Sequence, residues 1–164
     1  MPTLRERLAE VPQRGRVVWI GVRPAHGVPM VVLEEAVAIA GRGLDGDRMA
    51  NGRGGGKRQV TLIQAEHLPV VASLVGRAVV EPADVRRNLV VAGINLASLT
   101  GMRCAIGDDV VLVATGACAP CAKMDELVGP GGFQAMRGHG GLTARVEAGG
   151  TIRLGDAVRV LGSA

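Results

Sequence analysis

Gly101-Met102-Arg103-Cys104-Ala105-Ile106-Gly107-Asp108-Asp109-Val110-Val111-Leu112-Val113-Ala114 contains two apolar runs of strand length parted by Gly107-Asp108. β-Branched and apolar residues on either side of a Gly-Asp turn signal predict consecutive strands rather than a helix. The same grammar recurs along the chain. Arg16 to Val22 is a β-branched run ended by Arg23-Pro24, and Met30 to Ile39 is a second run stopped by Gly41-Arg42-Gly43. Val60 to Ile63 and Arg87 to Val91 read as further strands, the latter followed by a turn at Ala92-Gly93. Thr143 to Val146, Gly149-Gly150 and Ala157 to Leu161 read as a hairpin followed by a closing strand. One helix is expected over Gln64 to Val75, where Leu68, Val71, Ala72 and Val75 keep helical spacing, Pro69 falls in the first turn and Gly76 is the stop. Short strands at regular intervals with one or two helices imply a mainly β domain with minor helix. An antiparallel barrel or sandwich is expected rather than alternating βαβ units.

Composition agrees with this. The chain has 164 residues, enough to close one sizeable core, so a single domain is expected. Trp19 and Phe133 are its only aromatic residues, which leaves Val, Leu, Ile, Ala and Met to fill that core. Its 25 glycines follow no three-residue period, which excludes collagen and implies many turns or close backbone approaches. The net charge is +4 and nearly all the cations are arginine, whose planar fork matches phosphate and carboxylate oxygens. An anionic partner is expected, and a small phosphorylated ligand fits better than nucleic acid. Nucleic acid would call for exposed aromatic residues or a reading helix. Met1 to Glu10 is charged and amphipathic, and no apolar run reaches the roughly 18 residues a membrane helix needs. No membrane partner and a cytoplasmic location are therefore expected. Three cysteines, an odd number without a secretory leader, imply reduced thiols.

Chemistry concentrates in three segments. In Ala117-Cys118-Ala119-Pro120-Cys121-Ala122-Lys123, two thiols stand three positions apart, and Pro120 sits where a first helical turn could begin. Cys121 would then lie near unpaired N–H groups that favour a thiolate. The pair admits four readings: a structural zinc site completed from Cys104, His26, His67 or His139, a redox couple, inert core cysteines, or a functional thiol in a ligand pocket. Gly43 to Arg48 and Gly52 to Arg58 combine backbone freedom with Arg42, Arg48, Arg53, Lys57 and Arg58, a combination suited to an anion. Seven glycines between Gly41 and Gly56 predict a long irregular loop, either functional or solvated and flexible. It is no Walker-type phosphate loop, because Asn51 occupies the first glycine position and Arg58 follows Lys57. Arg86-Arg87-Asn88 adds two cations and an amide before a strand, and Arg137-Gly138-His139-Gly140-Gly141 places a histidine among glycines, as a ligand or as a turn residue.

Taken together these segments resemble the MOSC family, the domain found at the C-terminus of molybdenum-cofactor sulfurases and as small stand-alone bacterial proteins. The likeness rests on the order of Arg23-Pro24, Gly43-Leu44-Asp45-Gly46-Asp47-Arg48, Arg87-Asn88-Leu89, Gly101-Met102-Arg103, Cys118-Ala119-Pro120-Cys121, Arg137-Gly138 and Gly150 to Asp156. The resemblance implies a distorted β-barrel of the pyruvate-kinase β-barrel-domain type over residues 15–161, after an N-terminal segment of residues 1–14. It also implies a pocket for the molybdenum cofactor, molybdopterin, a pterin dithiolene with one phosphate. Cys121 falls on the family's characteristic cysteine, which ligates molybdenum or carries sulfur, and Cys118 is the second candidate ligand. Arg48, Arg87 and Asn88 match positions that would hold the pterin phosphate or ring. Lys57 and Arg58 join them by proximity in sequence, and Arg137 and His139 complete the expected cofactor-binding set. Pyridoxal phosphate is not expected on this chain. Two activities follow from the resemblance. One is reduction of N-hydroxylated substrates with electrons from a separate reductase, since no flavin or iron–sulfur motif is present. The other is a sulfur-carrier or cofactor-delivery role served by a cysteine desulfurase.

Overall fold

The computed structural model describes residues 1–164. After α1 (Leu4–Ala9), the chain forms β1 (Gly15–Val22), β2 (Val31–Leu33), β3 (Glu35–Ile39) and β4 (Gly43–Leu44). A 3-10 turn at Arg48–Asn51 leads to β5 (Val60–Gln64), α2 (His67–Val75) and β6 (Leu89–Ala92). A second such turn at Leu96–Leu99 precedes β7 (Met102–Ile106) and β8 (Val110–Ala117). The chain ends with α3 (Met124–Val128), α4 (Gly132–Met136), β9 (Leu142–Ala148), β10 (Gly150–Arg153) and β11 (Ala157–Ser163).

Seven strands close a barrel in the order β11-β7-β8-β9-β5-β6-β1, sealed where β1 pairs with β11 at Gly15 and Arg16; β2 continues the sheet beyond β1. A small second sheet, β10-β3-β4, lies outside that order. β7 and β8 form the hairpin expected at Gly107-Asp108, with Ile106 opposite Val110. The barrel is mostly antiparallel, but β5 and β6 run parallel. Parallel neighbours need a crossover, and α2 supplies it, so one βαβ unit is built into a barrel expected to have none.

That crossover explains the uninterrupted apolar runs of β5 and β6, since both faces of these strands are covered. Leu62, Leu89 and Val91 face the barrel interior with Ile20, Ile106 and Leu112, whereas Ile63 and Val90 face a second core beneath α2, α3 and α4 with Val71, Met124 and Met136. Alternate residues of one strand thus serve two cores.

Three local expectations are corrected. Met30 to Ile39 is not one strand: β2 pairs with β1 while β3 joins β4 and β10, with Glu34 between them. β9 and β10 do not form a hairpin, because β9 lies between β5 and β8 and β10 crosses to β3, although β11 is the closing strand as expected. The glycine-rich stretch after Gly41 is structured. Arg42 donates to the carbonyls of Ala50 and Gly52, Gly41 N–H donates to Val146 and Gly55 N–H to Gly41. The glycines there serve tight turns, with φ of 82° at Gly46 and 76° at Gly54.

The folded loop brings Asp47 beneath the barrel wall. Its carboxylate, fully buried, accepts from the backbone N–H of Arg23 at 2.8 Å, from Arg23 Nε and Nη2 at 3.1 Å and from Asn88 Nδ2 at 2.9 Å. Asn88 Nδ2 also donates to Gly21 O, and its Oδ1 accepts from Thr61 N–H, Thr61 Oγ and Arg23 Nη2. One knot of polar groups therefore ties β1, β5, the Asp47 turn and the residue before β6, with no buried side-chain donor or acceptor left unpaired.

Burial would raise the Asp47 pKa, but hydrogen bonds from Arg23, its charge and the Met49 N–H more than offset this and hold the group below the ordinary carboxylate value. A depressed folded pKa gives stability that is complete above the unfolded value of about 3.9 and is lost progressively as pH falls towards the folded pKa. Urea unfolding should therefore show wild-type stability declining below about pH 4, with a shallower decline in Asp47→Asn. Asp47→Ala should lose about 3–5 kcal/mol at neutral pH, the usual cost of stranding a buried charge. A loss below about 1 kcal/mol would show that the knot is not structural.

Candidate functional site

The strand β8 ends at Ala117, and the chain then turns through Cys118-Ala119-Pro120-Cys121 before α3. Cys118 N–H donates to Gly141 O at 2.9 Å, and Met124 N–H donates to Cys121 O at 3.1 Å. These bonds fix both ends of the turn. α3 begins at Met124 rather than at Pro120, so Cys121 lies ahead of the helix and not in its first turn, contrary to expectation. The two thiols are unequal: Cys118 is 3% exposed, and Cys121 is exposed. Cys104 is buried on β7, and burial pushes its thiol up to about 11. No three His, Cys, Asp or Glu side chains converge on a common point, so the zinc alternative has no ligand set.

Arg87 holds the turn from below. It is 2% exposed, and its guanidinium donates to Gly140 O at 2.9 Å, Val85 O at 2.8 Å and Cys118 O at 3.5 Å. It thus ties the Cys118 turn to the loop before β9. The glycines of that loop are required by close approach: a Cβ on Gly140 would strike Cys118 O, and one on Gly141, at φ 82°, would strike Leu62 O. Burial lowers the Arg87 pKa, the Cys118 and Cys121 sulfurs act in the opposite direction, and Arg58 and Arg23 add to the lowering. Arg87 therefore carries a buried positive charge beside both thiols without a carboxylate partner.

Two of the residues expected to contact a ligand are engaged within the protein. Asn88 is fully buried and both its amide hydrogens are spent on Gly21 and Asp47, so it has no donor left for a ligand. Arg87 meets backbone carbonyls, which makes it a positioning residue.

The residue that sequence reasoning left out of the site is Arg86. It has φ of 55°, the only non-glycine residue of the chain in left-handed backbone, at a cost of order 1–2 kcal/mol for a side chain of this type. Its Nη1 donates to Val28 O at 2.7 Å. Its pKa is lowered first by burial and then by Arg23 and Arg48, against the opposing pull of Asp47 and Cys121. Arg86 therefore lies within electrostatic reach of Arg23, Arg48 and the exposed thiol. The signal was present in Arg86-Arg87-Asn88, but the left-handed kink that sends adjacent arginines to different places is invisible in a strand pattern.

Arg48, Lys57 and Arg58 are exposed. The Lys57 carbonyl accepts from Thr115 Oγ at 2.7 Å, which pins the glycine loop beside β8. The four ion pairs of the molecule engage Arg23, Arg77, Arg103 and Arg153, so Arg48, Arg58 and Arg86 have no carboxylate partner. An accessible soft nucleophile thus lies within electrostatic reach of Arg86, whose charge no carboxylate neutralises, an arrangement suited to an anion that also offers a thiophilic atom.

A cleft of about 380 Å³ lies between β5, the Leu96–Leu99 turn, Cys118 to Pro120 and the loop before β9. Arg137 lines it. His139 stands behind it, with Nδ1 3.0 Å from Ala135 O and its ring edge-on to His67 at 5.1 Å. The structure therefore places Arg137 at the cleft, His139 against the cleft residue His67, and Arg48 within electrostatic reach of Arg86.

Fold and site together define a small β-barrel that presents one cysteine in a basic setting. The chain belongs to the MOSC domain family, whose sequence model matches residues 49–159. The family is associated with binding of the molybdenum cofactor. The fold is similar to that of the YuaD protein from Bacillus subtilis, with a TM-score of 0.78 and 19% identity over 90% of this chain and 96% of that one. It is also similar to YiiM from Geobacillus stearothermophilus (TM-score 0.67, 18% identity, 90% of this chain and 75% of that one) and YiiM from Escherichia coli (0.68, 18%, 91% and 71%). At these identities the likeness is one of fold. A search of curated proteins returned no match. No helix is long and apolar enough to cross a membrane.

Iodoacetamide at pH 8 should modify Cys121 in the native protein and reach Cys118 and Cys104 only after denaturation, as peptide mass spectrometry would read. Native labelling of Cys118 at the same rate would show that the two thiols are equivalent.

Proposed function

We propose that this chain is a molybdenum-cofactor protein in which the Cys121 thiolate ligates molybdenum, and that it reduces N-hydroxylated compounds with electrons from a separate reductase. The observation that carries this reading is the exposed Cys121 thiol within electrostatic reach of Arg86, which like Arg48 and Arg58 has no carboxylate partner. The residues fit the group. Thiolate sulfur suits molybdenum, and unpaired guanidinium groups suit a phosphate and the polar edge of a pterin. When bound, the cofactor supplies a two-electron redox centre for cleavage of an N–O bond.

The protein's own part is positional. Arg86, anchored on Val28 O, and Arg48 on the Asp47 turn would take the phosphate end, with Lys57 and Arg58 closing the rim. Arg87 would hold the Cys118 to Cys121 turn at a fixed height through its bonds to the Gly140 and Cys118 carbonyls. Asp47 and Asn88 would touch no ligand; they fix Arg23 and the backbone from which Arg86 and Arg87 project.

A second reading is favoured by the exposure of Cys121 on a surface turn, where another protein can reach it: Cys121 carries sulfur as a persulfide received from a cysteine desulfurase. Both readings are tested on protein from cells able to make the cofactor, by elemental analysis and by pterin fluorescence after oxidation. Wild type should retain molybdenum and pterin, and Cys121→Ser and Arg86→Gln should each retain about tenfold less. Cofactor retained equally by Cys121→Ser would overturn the ligand assignment. Absence of both molybdenum and pterin, together with a gain of one sulfur atom on Cys121 after exposure to a cysteine desulfurase, would establish the carrier role instead.

A further inference from the structure

The cleft lined by Cys118 to Pro120 has a chemistry of its own. Gln64 Oε1 accepts from Leu96 N–H at 3.0 Å, which orients the amide and leaves its Nε2 without a protein acceptor. The His67 ring meets His139 edge-on and makes no hydrogen bond, and the Thr100 hydroxyl makes none. Arg137 donates only to the neutral amide of Gln134 and has no carboxylate within ion-pair distance. No acidic side chain lines the cleft, while Leu96, Pro120 and Leu142 give it an apolar wall. Unpaired donors and one free guanidinium exclude a cation as occupant. A volume of about 380 Å³ is that of a small-molecule site rather than of a single inorganic anion.

We propose that this cleft binds a small organic carboxylate. Arg137 takes the carboxylate with support from Gln64 Nε2, Thr100 and His67, and an unsaturated or aliphatic body lies against Leu96, Pro120 and Leu142. Pro120 belongs to both the cleft wall and the turn that presents Cys121, so the bound molecule lies against the segment carrying the reactive thiol. Identifying it as the substrate seat rests on the function proposed above. The binding itself does not, because the cleft shares neither Arg48 nor Arg86 with the proposed cofactor site.

Benzoate is the probe, with benzamide as its uncharged counterpart and inorganic phosphate as an anion without a body. In NMR titrations of the full chain, benzoate should shift the His67 and His139 ring signals and the Gly138 and Gly141 amides saturably. Benzamide and phosphate should bind at least about tenfold more weakly, the loss expected when a charge-assisted hydrogen-bond pair or the apolar contact is missing. Arg137→Gln, a change at an exposed position, should weaken benzoate by about tenfold and leave benzamide unchanged. Cys121→Ser should bind benzoate as wild type does, which separates failure of this proposal from failure of the cofactor reading. Three results would overturn the proposal: benzoate shifts centred on Arg86 and Arg48, benzoate affinity unaltered in Arg137→Gln, or phosphate bound at the cleft as tightly as benzoate.

Discussion

The carboxylate of Asp47 is the constraint on which the site depends. It sits fully buried between the Arg23 guanidinium and the Asn88 amide, and no water is needed to complete its hydrogen bonds. A buried ion pair adds little net stability compared with an apolar packing of the same volume, but removing one member strands a charge. The value of such a pair lies in fixing geometry, and here it fixes three things together. It anchors the start of the Arg48 turn, holds the end of β1 and locks Asn88, the neighbour of Arg86 and Arg87. A disturbance at Asp47 would reach the thiol site through the backbone even though Asp47 touches neither cysteine.

The site then follows from two backbone irregularities at the barrel's end. Left-handed backbone at Arg86 separates two adjacent arginines, so that one reaches Val28 O and the other is buried under the turn. Glycine at positions 140 and 141 lets the loop before β9 press against Cys118 and β5 without a clash. Residues Cys118 to Pro120 of the turn consequently line the donor-rich cleft, while the next residue, Cys121, is exposed within electrostatic reach of Arg86.

Much of this was legible in the sequence. The hairpin at Gly107-Asp108, the helix stopped at Gly76 and the closing strand all follow from local signals, turn residues between runs of β-branched side chains, and these were strong enough to survive tertiary packing. The parallel pairing of β5 with β6 was not legible, because a nine-residue helix read alone does not say that its flanking strands are neighbours. Nor was the order of the glycine-rich stretch. Its backbone is held by Arg42 and by Val146, which lies far away in sequence, and neither bond has a local signature. At the site, Cys121 was picked out by its spacing from Pro120 and by family likeness. The engagement of Asn88 inside the protein was not legible, because a residue type able to bind a ligand is equally able to satisfy a buried carboxylate. The cleft residues Gln64, His67 and Thr100 come from three separate segments and share no motif, so only the fold brings them together.

In the function proposed above, Cys121, on the turn that Arg87 braces at Cys118, supplies sulfur directly to molybdenum. X-ray absorption at the molybdenum edge, on protein loaded with the cofactor, counts sulfur neighbours of the metal. The account predicts one sulfur fewer in Cys121→Ser than in wild type, with Cys118→Ser unchanged. An identical count in wild type and Cys121→Ser would contradict it.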